Sequence, residues 1–147
     1  MEYAITEQMD IKEWAELLAS SKDATFFHTY EWMKLLHENS TYNQQLFITA
    51  RNETGKLMGW MPFVIIIRKK VVSELVSLPN SASGGVVIVD DVNEHTRETL
   101  RENILKAFCD FGKRFSYTRI LNRVIVVDFL NNHGFLASNG FRRKSNY

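Results

Sequence analysis

The stretch from Asn80 to Gly85, N-S-A-S-G-G, contains the residue types best suited to holding a ligand. Paired glycines adopt backbone conformations closed to other residues and let a ligand approach the chain closely. Serine hydroxyls and successive backbone N–H groups can bind an anion. The spacing matches neither a Walker phosphate loop nor the G-x-G-x-x-G fingerprint, and paired glycines between strands more often form a plain turn.

The other reactive side chains are dispersed along the chain. A single cysteine, Cys109, excludes an internal disulfide and a zinc site built from several cysteines. Its helical phase places it opposite an apolar stripe, with no histidine or aspartate beside it, so we expect an inert thiol. The histidines have no metal-ligand spacing, and we expect all of them on the surface or in loops: His28, His37, His95 and His133.

Three further groups each allow two interpretations. The acids at 90–91 follow a strand as metal ligands can, but acids there also complement the dipole of the next helix. Tyr30, Trp32 and Trp60 could line a groove, although aromatic residues at this spacing usually belong to a core. The basic segment at 142–144 could hold a phosphate or form a solvated tail.

Hydrophobic periodicity predicts two short helices near the beginning of the sequence. The first covers 10–20, with Asp10 as its cap and Glu13 three residues later, as in a capping box. Its apolar face comprises Ile11, Trp14, Ala15 and Leu18. Thr29 is expected to cap the second helix, over 30–38. The apolar side of that helix comprises Trp32, Met33, Leu35 and Leu36.

The period then changes to that of strands, which are predicted over 45–51, 56–68, 71–78 and 86–89. The polar segment 52–55 ends in glycine and predicts a hairpin turn between the first two. Pro62 predicts an edge position or a bulge for the second strand, because proline cannot donate to the ladder.

A long helix should follow, capped by Asn93 or Asp91 and reaching about Phe115. Its apolar stripe comprises Leu100, Ile104, Phe108, Phe111 and Phe115. A strand over 119–128 and a short helix over 129–138 complete the predicted elements. This order predicts an α+β fold, a mixed and mostly antiparallel sheet with helices packed on its faces.

Size and charge restrict the class of protein. The chain has 147 residues, 45% hydrophobic and 24% charged, which suits one globular domain over 1–147. A net charge of +1 argues weakly against a general nucleic-acid binder, although local basic patches are compatible with it. We see no signal peptide and no apolar run long enough to span a membrane, so we expect a cytoplasmic protein without a membrane span.

Three stretches have a characteristic order and spacing. They are F-F-H-T-Y-E-W-M-K-L-L at 26–36, L-F-I-T-A…G-K-L-M-G-W-M-P-F at 46–63, and L-P-N-S-A-S-G-G-V-V-I-V-D-D at 78–91. Together they resemble the N-terminal half of the FemABX-like proteins. The ending N-H-G-F-L-A-S-N-G-F-R-R at 132–143 also resembles the close of that family's first domain.

The resemblance implies a GNAT-like (acyl-CoA N-acyltransferase-like) domain, the first half of a two-domain peptidyltransferase. Bacterial members of the family add amino acids from aminoacyl-tRNA to peptidoglycan precursors. For this chain it implies N-acyl transfer to a peptide- or amine-bearing acceptor, no cofactor, and an aminoacyl-tRNA donor bound through a second domain. We expect this half to be inactive alone. A sheet cut short after Phe141 would leave an exposed edge or form a homodimer.

Site residues follow from the resemblance position by position. Family members have a lysine one turn after the tryptophan of the second helix, which contacts a nucleotide-sugar peptide. Four residues after Trp32 this chain has Leu36, and the nearby lysine is Lys34. Tyr117 matches a tyrosine that some members use at the strand after the long helix. The implied substrate-binding set is completed by loop residues at the same cleft: Ser81, Ser83, Gly84 and Gly85. No catalytic residue and no metal ligand is implied.

Two alternatives stay open. A stand-alone GNAT acetyltransferase using acetyl-CoA would carry [Q/R]-x-x-G-x-[G/A] at the start of its long helix, where N–H groups hold the pyrophosphate. This chain has V-D-D-V-N at 89–93 instead, and these acids would repel a pyrophosphate. The other alternative is a non-catalytic interaction domain that pairs with another chain through an exposed sheet edge.

Overall fold

The computed structural model describes residues 1–39, 42–70, 72–78, 85–115 and 117–119. A 3-10 turn at Phe26–His28 separates the first two helices. The helices and strands of the described residues are, in chain order, β1 (Glu2–Thr6), α1 (Ile11–Ala19), α2 (Tyr30–Asn39), β2 (Gln44–Arg51), β3 (Leu57–Arg68), β4 (Val72–Val76), β5 (Val87–Ile88), α3 (Glu94–Gly112) and β6 (Tyr117–Arg119).

The strands form one mixed sheet. β1, β2, β3 and β4 are successive antiparallel neighbours, and β6 lies parallel to β4. α3 lies between β4 and β6 in the chain, as a parallel pair requires a crossover connection. The predicted α+β class, with a mostly antiparallel sheet, is therefore confirmed.

β3 runs through the middle of the sheet and has two different partners on one of its sides. β5 pairs with it through Gly59 and Trp60. β4 pairs with it from Val64 onward, as far as Arg68. Between Trp60 and Val64, no strand of the described residues pairs with this side of β3.

Pro62 lies in that interval, which corrects the prediction that it marks an edge strand. On the opposite side of β3, Pro62 faces Phe47 of β2 without a break in register. Met58 O accepts a hydrogen bond from Val89 N at 3.0 Å on the β5 side. Because alternate residues direct their N–H groups to the same side of a strand, the N–H that Pro62 lacks would point into the interval. The proline therefore removes no bond of a described ladder.

α1 and α2 begin at the predicted caps. Asp10 Oδ1 accepts from Glu13 N at 2.9 Å, and Thr29 Oγ1 accepts from Trp32 N at 3.3 Å. The Glu13 side chain does not complete a capping box, because it accepts two hydrogen bonds from Arg51, at 2.8 and 2.7 Å. These bonds lower the pKa of the Glu13 carboxyl.

The buried faces of α1 and α2 differ from the predicted ones, since each has only two buried residues and Leu17 was not among those predicted. Trp14 and Leu17 are the buried residues of α1, and Met33 and Leu36 are those of α2. Two predicted core positions, Ile11 and Leu35, are 52% and 48% exposed. A helix that touches the sheet along one strip buries positions three apart, and the flanking apolar residues stay in solvent.

α3 packs closely on β3 and ends at Gly112, three residues before the predicted end. Its cap is Asn93, whose Oδ1 accepts from Thr96 N at 2.8 Å. Gly59 permits the approach, because a Cβ there would lie 3.1 Å from Val87 O and 3.2 Å from Ile104 Cδ1. The buried residues of α3 are Arg97, Leu100, Arg101, Ile104, Leu105, Phe108, Cys109 and Gly112.

Several predicted features lie outside the described residues. These are the loop at 79–84, nearly all of the strand over 119–128, and the helix over 129–138. The sheet edge and homodimer expected near Phe141 also stay predictions. Among the helices that the structure does describe, none is both long enough and apolar enough to cross a membrane.

Candidate functional site

The centre of the candidate site is the part of β3 between Trp60 and Val64. β4 ends on one side of this interval, and β5 begins on the other. Ser77 and Leu78 continue from β4 and are fully buried. The next described residue is Gly85. Ser81, Ser83 and Gly84 lie outside the described residues, and their role in a cleft stays a prediction.

His28 of the 3-10 turn holds Gly85 in place. Its Nδ1 accepts a hydrogen bond from Thr25 N at 3.1 Å, and its Nε2 lies 3.3 Å from Gly85 O. A nitrogen that accepts from a backbone N–H carries no proton, so the ring proton is on Nε2, which donates to the Gly85 carbonyl. The two bonds together select one neutral tautomer of His28.

His28 is 1% exposed, which corrects the prediction of a surface or loop histidine. Burial lowers its pKa to about 4, although the hydrogen bond to Gly85 acts in the opposite direction. The Thr25–His28 spacing was the available sequence signal, because the histidine side chain returns to the backbone N–H of Thr25 as in a capping box. At neutral pH the ring is an uncharged structural contact.

Trp60 fills the space beneath this contact. It is 0% exposed, and its ring lies 5.0 Å from Trp14, 5.6 Å from Phe47 and 6.1 Å from His28 between ring centroids. Trp60 therefore belongs to the core, in agreement with the core interpretation of this aromatic residue. Within the part of the chain that the structure describes, its Nε1 has no hydrogen-bond partner, which is uncommon for a buried donor.

A buried ion network joins the turn after α1 to β5 and α3. Asp23 Oδ2 accepts from Arg97 Nη1 at 2.6 Å and from Ile88 N at 3.3 Å. Asp23 Oδ1 lies 3.5 Å from Arg101 Nη2. The side chains of Asp23, Arg97 and Arg101 are 6%, 3% and 8% exposed. The network fixes the strand that begins two residues after Gly85.

Asp90 belongs to the same network. Its carboxylate accepts from Arg97 and, at 3.0 Å, from Lys22 N. This pairing supports the interpretation of the acids at 90–91 as structural. Within the described ranges, no cluster of three or more His, Cys, Asp or Glu side chains could hold a metal ion.

The buried ion network was not predicted from the sequence. Arg97 and Arg101 are four residues apart and fall on the predicted apolar stripe of α3, which was a usable signal of buried charge. Their partner Asp23 lies 74 residues before Arg97, and no local pattern could have identified it.

The start of α3 presents acids to any approaching ligand. Asp91 and Glu94 are exposed there, and Asp90 is next to them. The Asn93 side chain already occupies Thr96 N. An anion at this helix terminus would meet like charges, which oppose the favourable field of the helix.

Lys34 and Tyr117 lie on separate elements. Lys34 is exposed on α2, and its Nζ lies 3.9 Å from Glu38 Oε1. Tyr117 begins β6, where its backbone pairs with Glu74. α2, the helix that carries Lys34, begins two residues after His28, whose side chain contacts Gly85. That all the predicted site residues border one concave surface stays a prediction.

Cys109 is 8% exposed, which corrects its predicted place opposite the buried stripe. Burial raises the pKa of its thiol to about 11. A protonated, buried thiol is a poor nucleophile, in line with the inert cysteine that we expected.

No family model and no curated protein matches the chain. Solved structures do resemble it. An aminoglycoside 6'-N-acetyltransferase from Acinetobacter haemolyticus superposes with a TM-score of 0.55 at 15% identity, covering 100% of this chain and 94% of the other. For a ribosomal-protein-alanine N-acetyltransferase from Brucella melitensis the TM-score is 0.59 at 17% identity, with 100% and 97% covered.

A glucosamine-6-phosphate N-acetyltransferase from Arabidopsis thaliana is similar with a TM-score of 0.55 at 14% identity, covering 100% of this chain and 96% of the other. At such identities the likeness concerns the fold alone. The GNAT-like domain that the resemblance implied is thereby supported, and the FemABX-like assignment within it stays a proposal. The chain has the fold of the GNAT acyltransferases.

Proposed function

We propose that this chain is the substrate-binding half of a FemABX-like amino-acid or acyl transferase, with one GNAT-like domain over 1–147. The single observation that carries the proposal is the acidic, capped start of α3 in a GNAT fold. A CoA-dependent enzyme of this fold needs accessible N–H groups there to hold a pyrophosphate. Here Asn93 occupies one such group, and Asp91 and Glu94 are exposed beside it.

The reaction in this proposal is transfer of an acyl group from an ester to an amine. The amine nitrogen attacks the ester carbonyl, and a C–N bond forms as the C–O bond breaks. The proton lost by the amine is taken up by the departing ester oxygen, which leaves as a hydroxyl. Positioning and stabilisation of the oxyanion supply most of the rate enhancement in such transfers. A half that holds the acceptor therefore needs no nucleophile of its own, and the aminoacyl-tRNA donor is bound through the second domain.

The proposed acceptor site comprises Lys34, Tyr117, Ser81, Ser83, Gly84 and Gly85. Lys34 supplies the positive charge that a carboxylate or phosphate of the acceptor requires. Its ion pair with Glu38 is long and exposed, with side chains 60% and 56% accessible. Such a pair stabilises the protein little and is easily exchanged for a ligand.

We expect acetyl-CoA not to bind this chain measurably. The reason is the like charge of Asp91 and Glu94 at the helix start where a CoA-dependent enzyme of this fold would hold the pyrophosphate. Isothermal calorimetry at low ionic strength, where electrostatic binding is strongest, checks this expectation. A CoA-dependent GNAT enzyme titrated in the same buffer serves as the positive control. Micromolar binding to this chain would contradict the proposal and favour a stand-alone acetyltransferase.

We expect Lys34→Gln to weaken binding of a nucleotide-sugar peptide with a free amine by about tenfold, as loss of a charge-assisted hydrogen bond does. Lys12→Gln is the matched control, because Lys12 also forms an exposed pair with the glutamate four residues later, Glu16, at 3.9 Å. Binding is measured by calorimetry for each variant. Equal effects of the two substitutions, or no binding by the unaltered chain, would count against the acceptor site.

A further inference from the structure

Basic side chains gather at one end of the sheet, opposite the acidic start of α3. β6 runs parallel to β4, with Tyr117 opposite Glu74. The chain therefore enters β6 at the same end of the sheet as the turn between β3 and β4. The five basic residues of these two segments, here called the basic end, are Arg68, Lys69, Lys70, Lys113 and Arg114.

The acids near the basic end are already engaged. Glu74 Oε1 accepts from Arg68 Nε at 3.0 Å. Asp110 Oδ1 accepts from Lys113 Nζ at 2.7 Å. The side chain of Glu74 is 12% exposed, so little of its charge faces solvent.

The remaining charges of the basic end are not neutralised within the described residues. Lys69, Lys70 and Arg114 are exposed there without an ion-pair partner, and Arg114 lies over the ring of Phe111 at 5.4 Å. The chain as a whole carries only +1. Among the described residues, the basic end therefore presents exposed positive charges that no described acid neutralises.

The turn that carries two of these lysines is conformationally strained. Lys69 and Lys70 have φ of 52° and 59°, in the left-handed region. Asn-Gly is the usual choice for two such residues in a hairpin, because a lysine Cβ is crowded there. Lysines at these positions make the turn less stable than Asn-Gly would, and they place two charges at the tip of the hairpin. Strained positions of this kind concentrate at functional sites.

We propose that the basic end binds the phosphodiester backbone of a nucleic acid. Lysine ammonium groups are compact point charges that accept a phosphate from any direction, and here they stand on two neighbouring segments. Several charges on two segments fit a chain of phosphates better than a single phosphate. An anionic membrane fits less well, because Ile67 is the one large apolar side chain exposed in the described part of this hairpin.

The test is fluorescence anisotropy of the full chain with labelled single-stranded RNA, hairpin RNA and duplex DNA over 50–200 mM salt. Lys69→Asn combined with Lys70→Gly removes two charges and installs residues that favour the left-handed conformation, so the variant should fold at least as well. We expect its affinity to fall by about tenfold or more, and the slope of log affinity against log salt to decrease by roughly 1.4–1.8, as two lost phosphate contacts require. Lys12→Gln with Lys56→Gln, which removes two exposed lysines elsewhere, should change affinity by less than about twofold.

Lys69→Arg with Lys70→Arg keeps the charge and should retain binding. An unchanged affinity and salt slope in the Asn-Gly variant would overturn the proposal. So would tighter binding to phosphatidylserine vesicles than to any nucleic acid, or no binding to either at 50 mM salt. None of the acceptor-site residues is altered, so the Lys34→Gln experiment fails or succeeds independently of this one.

Discussion

Replacement of Asp23 with alanine is expected to lower the free energy of unfolding by about 3–5 kcal/mol, the usual effect of removing one partner from a buried ion pair. Arg97 then loses a carboxylate at 2.6 Å while its side chain is 3% exposed. Arg101 loses its 3.5 Å neighbour as well. Asp90 still pairs with Arg97, but it is 48% exposed and cannot replace an interior counter-charge.

The substitution also removes the acceptor of Ile88 N, at 3.3 Å from Asp23 Oδ2, so the β5 attachment weakens together with the ion pair. Guanidinium or urea unfolding, followed by circular dichroism, measures the change. Asp91→Ala is the control, because Asp91 is exposed and should change stability by less than about 0.5 kcal/mol.

A double-mutant cycle with Arg97→Met separates the pair from its surroundings. We expect a coupling energy between Asp23 and Arg97 of about 1–3 kcal/mol, as for residues of one buried network. A loss below about 1 kcal/mol in Asp23→Ala, or additive effects of the two substitutions, would show that the network does not hold α3 to the turn after α1.

Local sequence patterns were sufficient to predict most of the described helices and strands. The caps at Asp10, Thr29 and Asn93 are side-chain oxygens that accept from a backbone N–H three residues later, a relation readable from a few neighbouring letters. The turn at 52–55 was equally local. The period-two pattern predicted β2 and β3 with ends that differ by only one residue.

The position of a strand within the sheet was harder to predict from the sequence. Pro62 predicted an edge position or a bulge, but it lies in a central strand, at the point where that strand changes partner on one side. No residue near Pro62 in the sequence indicates that β4 and β5 pair with the same side of β3. That information resides in pairings between residues such as Trp60 and Val87, which only the fold brings together.

The contacts of the candidate site were harder still to predict, because they join residues that are far apart in the sequence. His28 contacts Gly85 across 57 residues, and Arg97 contacts Asp23 across 74. His28 was predicted on the surface or in a loop, and no pairing of Asp23 with Arg97 was predicted. Their burial arises because the β5 segment lies between the turn after α1 and the start of α3, and each polar group there must find a partner in the interior.

The contacts around β5 and the start of α3 bear on the proposal that this chain does not bind CoA. At the exposed start of α3, Asn93 already accepts from Thr96 N, and Asp90 accepts from Arg97. The segment that approaches the interval on β3 is fastened by His28 and Asp23.

The stability of the protein is expected to decrease by about 3 kcal/mol more than that of a His28→Gln variant as the pH falls from 7 to 4. Burial lowers the pKa of His28 to about 4 from an ordinary value of 6.5. Below pH 6.5 the unfolded chain therefore binds a proton that the folded chain refuses until about pH 4. Stability is complete above the ordinary pKa and is lost as the pH falls through this window, by roughly 1.4 kcal/mol per pH unit.

His28→Gln isolates this effect, because glutamine can still donate to Gly85 O but does not titrate. It will cost some stability at pH 7, and the informative quantity is the difference between the two proteins at each pH, from denaturant unfolding. His95→Gln, at an exposed histidine of α3, is the matched control for replacing a histidine elsewhere in the chain. Parallel pH profiles for the unaltered protein and His28→Gln would mean that the ring takes up its proton in the folded state. The Gly85 contact would then not depend on a neutral imidazole, and the tautomer assigned from Thr25 N would be wrong.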